Sequence, residues 1–337
     1  MKVLNQQEQR SIEQFFQLRQ PQLLKAMKTY LQSKYERVIV SSEYLIAVGD
    51  CPVGLVAHLD TVFQNPPKNI FYDRVKNVMW SPEGLGADDR AGVYAIIQIL
   101  KAGYRPTVIF TTNEEKGCLG AITLVSNVTK CPTELKYIIQ LDRRGSNDCV
   151  FYDCANYKFD EYVESFGFVT NFGSFSDISE ICPQWGIAGV NLSIGYYDEH
   201  SYIETLYIGQ MLATIERVKK MLNVANSAPV FEYIESKFSS AWGLYPDDGW
   251  DPSWGISKEA WSSMIEPRKK CCKCGQNDFD YNMFPVEDES SNTVKYYCLN
   301  CISDEAKIQW CEQCVTPFIS KNQDKTCKKC RGLNGSK

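Results

Sequence analysis

The chain has 337 residues, of which 44% are hydrophobic and 23% charged, with a formal net charge of -5 at neutral pH. That length exceeds what one hydrophobic core usually organises, so two domains, or one domain with an appendage, are expected. The balance of charge excludes a nucleic-acid or anionic-membrane surface dominating the molecule. No stretch approaches the roughly 18 apolar residues of a spanning helix, and MKVLNQQEQRSIEQFF at the amino terminus has no apolar leader core, which points to a cytoplasmic protein with no membrane partner.

Residues 7–33, rich in Gln, Leu, Lys and Glu, predict a helix interrupted near Pro21. RVIVSSE, YLIAVGD and VGLVAHL are β-rich runs broken by polar or Gly-Asp turns and predict strands, and NIFYDR with NVMWSP predicts a hairpin-like pair after NPPK. From Asp88 the run AGVYAIIQILKAG has a helical period that stops at Gly103. YRPTVIFTTNEE then reads as a buried strand, CLGAITLVSNV as a helix, ELKYIIQLD and GIAGVNLSIG as strands, and TLYIGQMLATIERVKKMLNVA as the last helix of the domain. This alternation predicts an α/β fold, a mixed and partly parallel sheet flanked by helices, over residues 1–228.

After Ala228 the character changes. Residues 229–265 form a connecting segment that holds Trp242, Trp250, Trp254 and Trp261 among Pro, Gly, Asp and Ser. So many large rings predict packing, either onto the rest of the chain or against a partner. Nine of the fifteen cysteines then crowd into 271–330. Cys271-x2-Cys274 is followed by Cys298-x2-Cys301, and Cys311-x2-Cys314 by Cys327-x2-Cys330. Each quartet has the paired spacing of a tetrahedral structural zinc, so residues 266–337 are expected to be a small module of two zinc-ribbon-like sites. Its 12 basic and 10 acidic residues, counted over 265–337, favour a protein partner over nucleic acid.

The front domain carries the chain's two histidines, His58 in AHLDTV and His200 in EHSYIE. Between them lie Asp88 and Asp89 in ADDRAG, Glu114 and Glu115 in TNEEKG, and Asp142 in QLDRRG, with His58, Glu114, Glu115 and Asp142 falling where successive predicted strands end. Open α/β sheets place ligands beyond the carboxyl ends of their strands, so these residues are expected to share one site. A two-metal centre needs a carboxylate that reaches both ions. His58, His200, Asp88, Glu115 and Asp142 would give each ion an imidazole, a terminal carboxylate and a share of a bridging aspartate. Glu114 is then placed to act as general base, and Asp60, two residues beyond His58, to fix the imidazole tautomer.

AHLDTV, GLGADDRAG, TTNEEKG, QLDRRG and HSYIETL, in this order, resemble the co-catalytic zinc exopeptidases, particularly the tripeptidase T-like and related aminopeptidases, over about residues 36–224. The resemblance implies that His58 and Asp142 bind one metal, Glu115 and His200 the other, and that Asp88 bridges. It also implies Glu114 as base, Asp60 as orienter and a cis peptide between Asp88 and Asp89. Many tripeptidase-like members insert a lid between the last aspartate and the last histidine. Here 57 residues separate Asp142 from His200, and these must also supply core elements, so a lidless form is expected. With no histidine to spare, help at the transition-state oxygen falls to the metals and to Tyr196, Tyr197 or Tyr202, if these are not structural. Arg143 is a candidate clamp for a substrate carboxylate, or a residue that is solvated or supports the neighbouring ligand. Asp177 in GSFSDISE is a candidate for a substrate amino group, or a helix cap.

The resulting expectation is a metal-dependent exopeptidase, an aminopeptidase or tripeptidase acting on short peptides. It would use two catalytic divalent metals (zinc, with cobalt or manganese also accepted by these ligands) and two structural zinc ions. The alternatives are an inactive zinc-ribbon binding protein on a peptidase-like scaffold and a hydrolase of non-peptide amides.

Overall fold

Asn5 opens the first helix, α1 (Gln6–Phe16), with a capping box: its side chain accepts the N–H groups of Gln7 and Glu8, and Glu8 accepts that of Asn5, each at 2.9 Å. The chain breaks before α2 (Gln20–Gln32), which carries Pro21 in its first turn, where a missing N–H costs no helical bond. The computed structural model describes residues 2–236, 268–275, 277–279, 283–302, 308–312, 317–320, 324–328 and 330–331. The Trp-rich stretch with Trp242, Trp250, Trp254 and Trp261, and Cys314, lie outside the described residues.

The strands follow as β1 (Arg37–Val40), β2 (Tyr44–Val48), β3 (Cys51–His58), the hairpin β4 (Phe71–Asp73) and β5 (Val78–Trp80), then β6 (Pro106–Thr111), β7 (Tyr137–Arg143), β8 (Asp148–Val150), β9 (Val169–Thr170), β10 (Gly189–Ser193), β11 (Tyr196–Tyr197) and β12 (Thr205–Tyr207). Eight of them form the main sheet in the order β1-β2-β6-β3-β7-β10-β8-β9, with β6, β3, β7 and β10 parallel at its centre. The other four make a small antiparallel sheet, β11-β12-β5-β4. Side chains alternate strictly across the main sheet. Leu45, Ala47, Leu55, Ala57, Val108 and Phe110 enter one core with α1, α2, α3 (Ala87–Lys101) and α7 (Ile208–Val224). Ile46, Val56, Ile109 and Ile138 enter another beneath α4 (Leu119–Asn127) and α6 (Asp177–Trp185). Burial on both faces is why these strands read as continuous apolar runs.

The expected mixed, partly parallel α/β sheet is therefore present, with two local differences. The last helix begins at Ile208, because Thr205–Tyr207 pairs with β5 as β12. The stretch from Asp142 to His200 is taken up by β8, α5 (Tyr157–Glu164), β9, α6, β10 and β11, of which β10 and, through the cap reading at Asp177, the start of α6 are legible in the sequence. The others are short and polar, with no sustained period.

The body also continues past Ala228: Phe231 is buried in the larger core, and Glu232 and Glu235 bridge to Ile187 and Cys154. By contacts the chain divides into one unit of Met1–Glu235 with Trp310–Thr316 and Lys325–Lys337, and a second of Ser236–Gln309 with Pro317–Asp324. The second cysteine cluster thus groups with the front unit, where Trp310 packs against the core, a contact that composition along the chain could not register.

Within the second unit, β13 (Arg268–Lys270) pairs with β14 (Asn277–Phe279), and β15 (Met283–Asp288) with β16 (Thr293–Cys298). Cys271 and Cys274 follow β13; Cys298 ends β16 and Cys301 lies in the short helix Leu299–Ile302 after it, and the four thiols come within 4.8 Å of one another. Burial opposes ionisation of Cys271, but N–H donors of Cys274, Cys298 and Lys273 outweigh it and bring its pKa down to about 6. Cys311, Cys327 and Cys330 form a second group, with the Cys327 N–H donating to Cys311 Sγ at 3.3 Å. No helix among the described residues is long and apolar enough to cross a membrane.

Candidate metal centre

The parallel strands deliver their ends to one place. His58 is the last residue of β3, Glu114 and Glu115 lie in a single 3-10 turn just past β6, Asp142 is near the end of β7, and Asp88 starts α3. Gly92 lets α3 approach this closely, since a Cβ there would stand 2.2 Å from the Leu141 carbonyl. His200 comes from the loop after β11, with its backbone in the left-handed region at φ +63°. The Asp88–Asp89 peptide is cis.

Asp88 faces both histidines. Its Oδ1 is 3.1 Å from His58 Nε2 and its Oδ2 is 3.1 Å from His200 Nε2. Asp142 Oδ1 lies 3.5 Å from His58 Nε2, and Glu115 Oε2 is 3.0 Å from His200 Nε2. Two groups able to hold a cation result, His58–Asp88–Asp142 and Asp88–Glu115–His200, with Asp88 common to both. A third overlapping group, His58–Glu114–Glu115, includes Glu114 through its longer 4.0 Å approach to His58. Asp60 Oδ1 is 3.3 Å from His58 Nδ1, an ionic contact whose angle leaves Nδ1 without a hydrogen bond. The two Asp60 oxygens also accept the N–H groups of Glu114 and Glu115, each at 3.1 Å, which fixes the turn carrying both glutamates.

Side chains outside the expected ligand set hold the ligands in place. At Asp142 the β7–β10 register shifts, and the Asn191 side chain replaces the lost ladder, accepting the Asp142 N–H at 2.9 Å and donating to its carbonyl at 2.8 Å. Gln140 Nε2 and Ser176 Oγ donate to Asp142 Oδ2 at 3.0 and 2.8 Å, and Tyr196 OH to its Oδ1 at 3.2 Å. Asp89 accepts the His58 and Gly92 N–H groups at 3.2 and 3.0 Å. Arg90 is buried beside Asp60 and Asp89 and donates to the Phe15 carbonyl. Side-chain amides and hydroxyls of this kind carry no periodic signal. Only their nearness to a motif marks them in the chain, as with Ser176 before Asp177 and Tyr196 before His200.

One expectation is corrected, and the other candidates find their places. Ser176, and not Asp177, is the N-cap of α6, and Asp177 is fully buried with its Oδ2 2.5 Å from Thr111 Oγ1. Arg143 Nη2 donates to the Phe172 carbonyl at 2.9 Å. Tyr196 is tied to Asp142, while Tyr202 is 70% exposed.

So many carboxylates in one buried place need positive charge. Burial pushes Asp142 up to about 6, Glu114 to about 9 and Asp177 to about 7, and raises Glu115 and Asp89 as well. His200 is raised to about 11 by its hydrogen bonds to Asp88 and Glu115; burial would lower His58, but the Asp142 charge and the surrounding carboxylates carry it well above the ordinary range. Asp88, though buried, is held well below the ordinary carboxylate range by both rings. The donor set of imidazole nitrogen and carboxylate oxygen, and the buried Glu115 Oε1 with no hydrogen-bond partner, fit divalent cations standing where these protons stand. Groups with raised pKa hold protons at neutral pH that a cation must displace. Adding zinc to the metal-free protein at about pH 7 in weak buffer is therefore expected to release protons, and affinity to fall as pH falls. A titration showing no release contradicts the assignment of the imidazoles as ligands.

Known proteins resemble this chain in the same region. The model of peptidase family M28 matches residues 47–163. Aminopeptidase PepT from Bacillus cereus has a similar structure at 14% identity and a TM-score of 0.51, covering 64% of this chain and 97% of that one. A tripeptidase from Staphylococcus aureus aligns at 12% identity and a TM-score of 0.54, covering 67% and 100%. An aminopeptidase from the archaeon Desulfurococcus kamchatkensis aligns at 13% identity and 0.51, covering 65% and 95%. No curated protein matches significantly. The family match over residues 47–163 spans four of the five motifs, AHLDTV to QLDRRG, and the chain shares the fold of these tripeptidase and aminopeptidase structures.

Proposed function

We propose that the front unit is a metal-dependent exopeptidase that removes residues from the free amino terminus of short peptides. The observation that carries this reading is Asp88, whose two oxygens each face a histidine of a different ligand group. His58 and Asp142 would hold one cation, Glu115 and His200 the other, and Asp88 both. Zinc suits this donor set; cobalt and manganese are also accepted by it. Bound divalent cations supply Lewis acidity toward the scissile carbonyl and make water acidic enough to be deprotonated near neutral pH.

The chain supplies the rest. Glu114, 4.0 Å from His58 and outside both groups that share Asp88, takes the proton of the attacking water and passes it to the leaving amine. Asp60 orients the His58 ring and the Glu114 turn together. The excess of carboxylates attracts the ammonium end of a peptide. The two cysteine groups are read as structural zinc sites, closed to chemistry, that offer a surface to a protein partner.

The test is hydrolysis of unblocked di- and tripeptides against their N-acetylated forms by the zinc-loaded protein. Cleavage is expected of the unblocked peptides alone. Equal cleavage of both forms would overturn the amino-terminal preference, and no cleavage of either would favour a binding scaffold.

A further inference from the structure

Glu204 has no part in the chemistry above, yet it is fully buried beside the centre. It lies four residues beyond His200, just before β12. Its Oε2 accepts the Gly86 N–H at 2.5 Å and its Oε1 accepts the Asp88 N–H at 3.0 Å. One carboxylate therefore spans the turn that ends at the bridging aspartate. Gly86 occupies the left-handed region at φ +68°, and a Cβ there would approach Thr61 Cγ2 to 3.0 Å, so the turn has no side chain of its own at that point to brace it.

A buried carboxylate is a costly way to satisfy two N–H groups that neutral acceptors could serve. The cost is offset if divalent cations sit on Asp88, because the charge of Glu204 then faces net positive charge.

We propose that Glu204 is a positioning residue that sets the Asp88 carboxylate between His58 and His200 and locks the His200 loop to the Asp88 turn. This rests on the two-metal reading. Both Asp88 oxygens are aimed through one backbone, so a loosened turn weakens both metal positions together.

The test compares the full chain with Glu204→Gln and Glu204→Asp. Gln opposes one N–H with an amide NH2, and Asp is one methylene too short to reach both donors. Cobalt is titrated into each protein and followed by its d–d absorption; thiolate-bound cobalt in the tail is told apart by its charge-transfer band. Both variants are expected to bind front-site cobalt on the order of ten- to a hundredfold more weakly, with altered d–d bands and unchanged thiolate bands. Activity should return at raised metal concentration, which a misfolded protein would not show. Wild-type affinity and spectrum in both variants would overturn the role of Glu204. No front-site cobalt in the wild type would instead sink the two-metal reading on which the role depends.

Discussion

Replacing Glu114 by Gln is expected to lower turnover by about 10²–10⁴-fold, the usual contribution of a positioned general base, or about 3–5 kcal/mol on the barrier. Metal content should not change, because neither of the two ligand groups that share Asp88 includes Glu114. Gln has nearly the same shape and can still accept the weak 3.6 Å contact from Cys118 Sγ, so the loss isolates proton transfer. The sign of the pH dependence follows. Burial lifts Glu114 to about 9 before any cation is counted, and adjacent cations pull it down again. Only the ionised form accepts a proton, so activity is expected to rise with pH through the Glu114 pKa and to be lost below it. That acid limb should vanish from the residual rate of Glu114→Gln. An unchanged rate with full metal occupancy would remove Glu114 from the mechanism.

The second large effect is expected at Asp88. Asp88→Ala deletes the one side chain shared by both ligand groups, leaving His58 with Asp142 and Glu115 with His200 as incomplete pairs. Both front metals are expected to be lost at concentrations that saturate the wild type. The loss of affinity should exceed the about 10–100-fold typical of removing a hydrogen-bond partner of a ligand. Elemental analysis after dialysis reads this directly. Retention of one tightly held metal would mean that Asp88 serves a single ion.

Much of this site is legible in the sequence because strands of a parallel sheet end together, so motifs at successive strand ends must converge. His58, Glu115 and Asp142 arrive at strand ends in this way, while Asp88 joins them from the first turn of α3 and His200 from the loop after β11. The supporting residues are less visible. Asn191 matters because it mends a ladder where β7 and β10 fall out of register, and no pattern in GVNLS announces that. Asp177 misled because a Ser-Asp pair ahead of a helix suits a cap, while the pull of Thr111 on a neighbouring strand is a tertiary fact. The helix expected from Thr205 lost its first turn to β12 for the same reason: pairing with β5 overrides local period. The first cysteine group, by contrast, needed only its spacing, since Cys-x2-Cys pairs on adjacent turns converge once their strands pair.

The central claim is that His58 and His200 each hold one ion of a pair joined through Asp88. The most direct measurement is metal stoichiometry of the full chain beside the His58→Ala/His200→Ala double variant. The account predicts about four metals in the wild type, two at the front and two at the cysteines, falling to about two in the variant, with the thiolate-bound metals untouched. A wild-type value of about two that the histidine substitutions leave unchanged would contradict it.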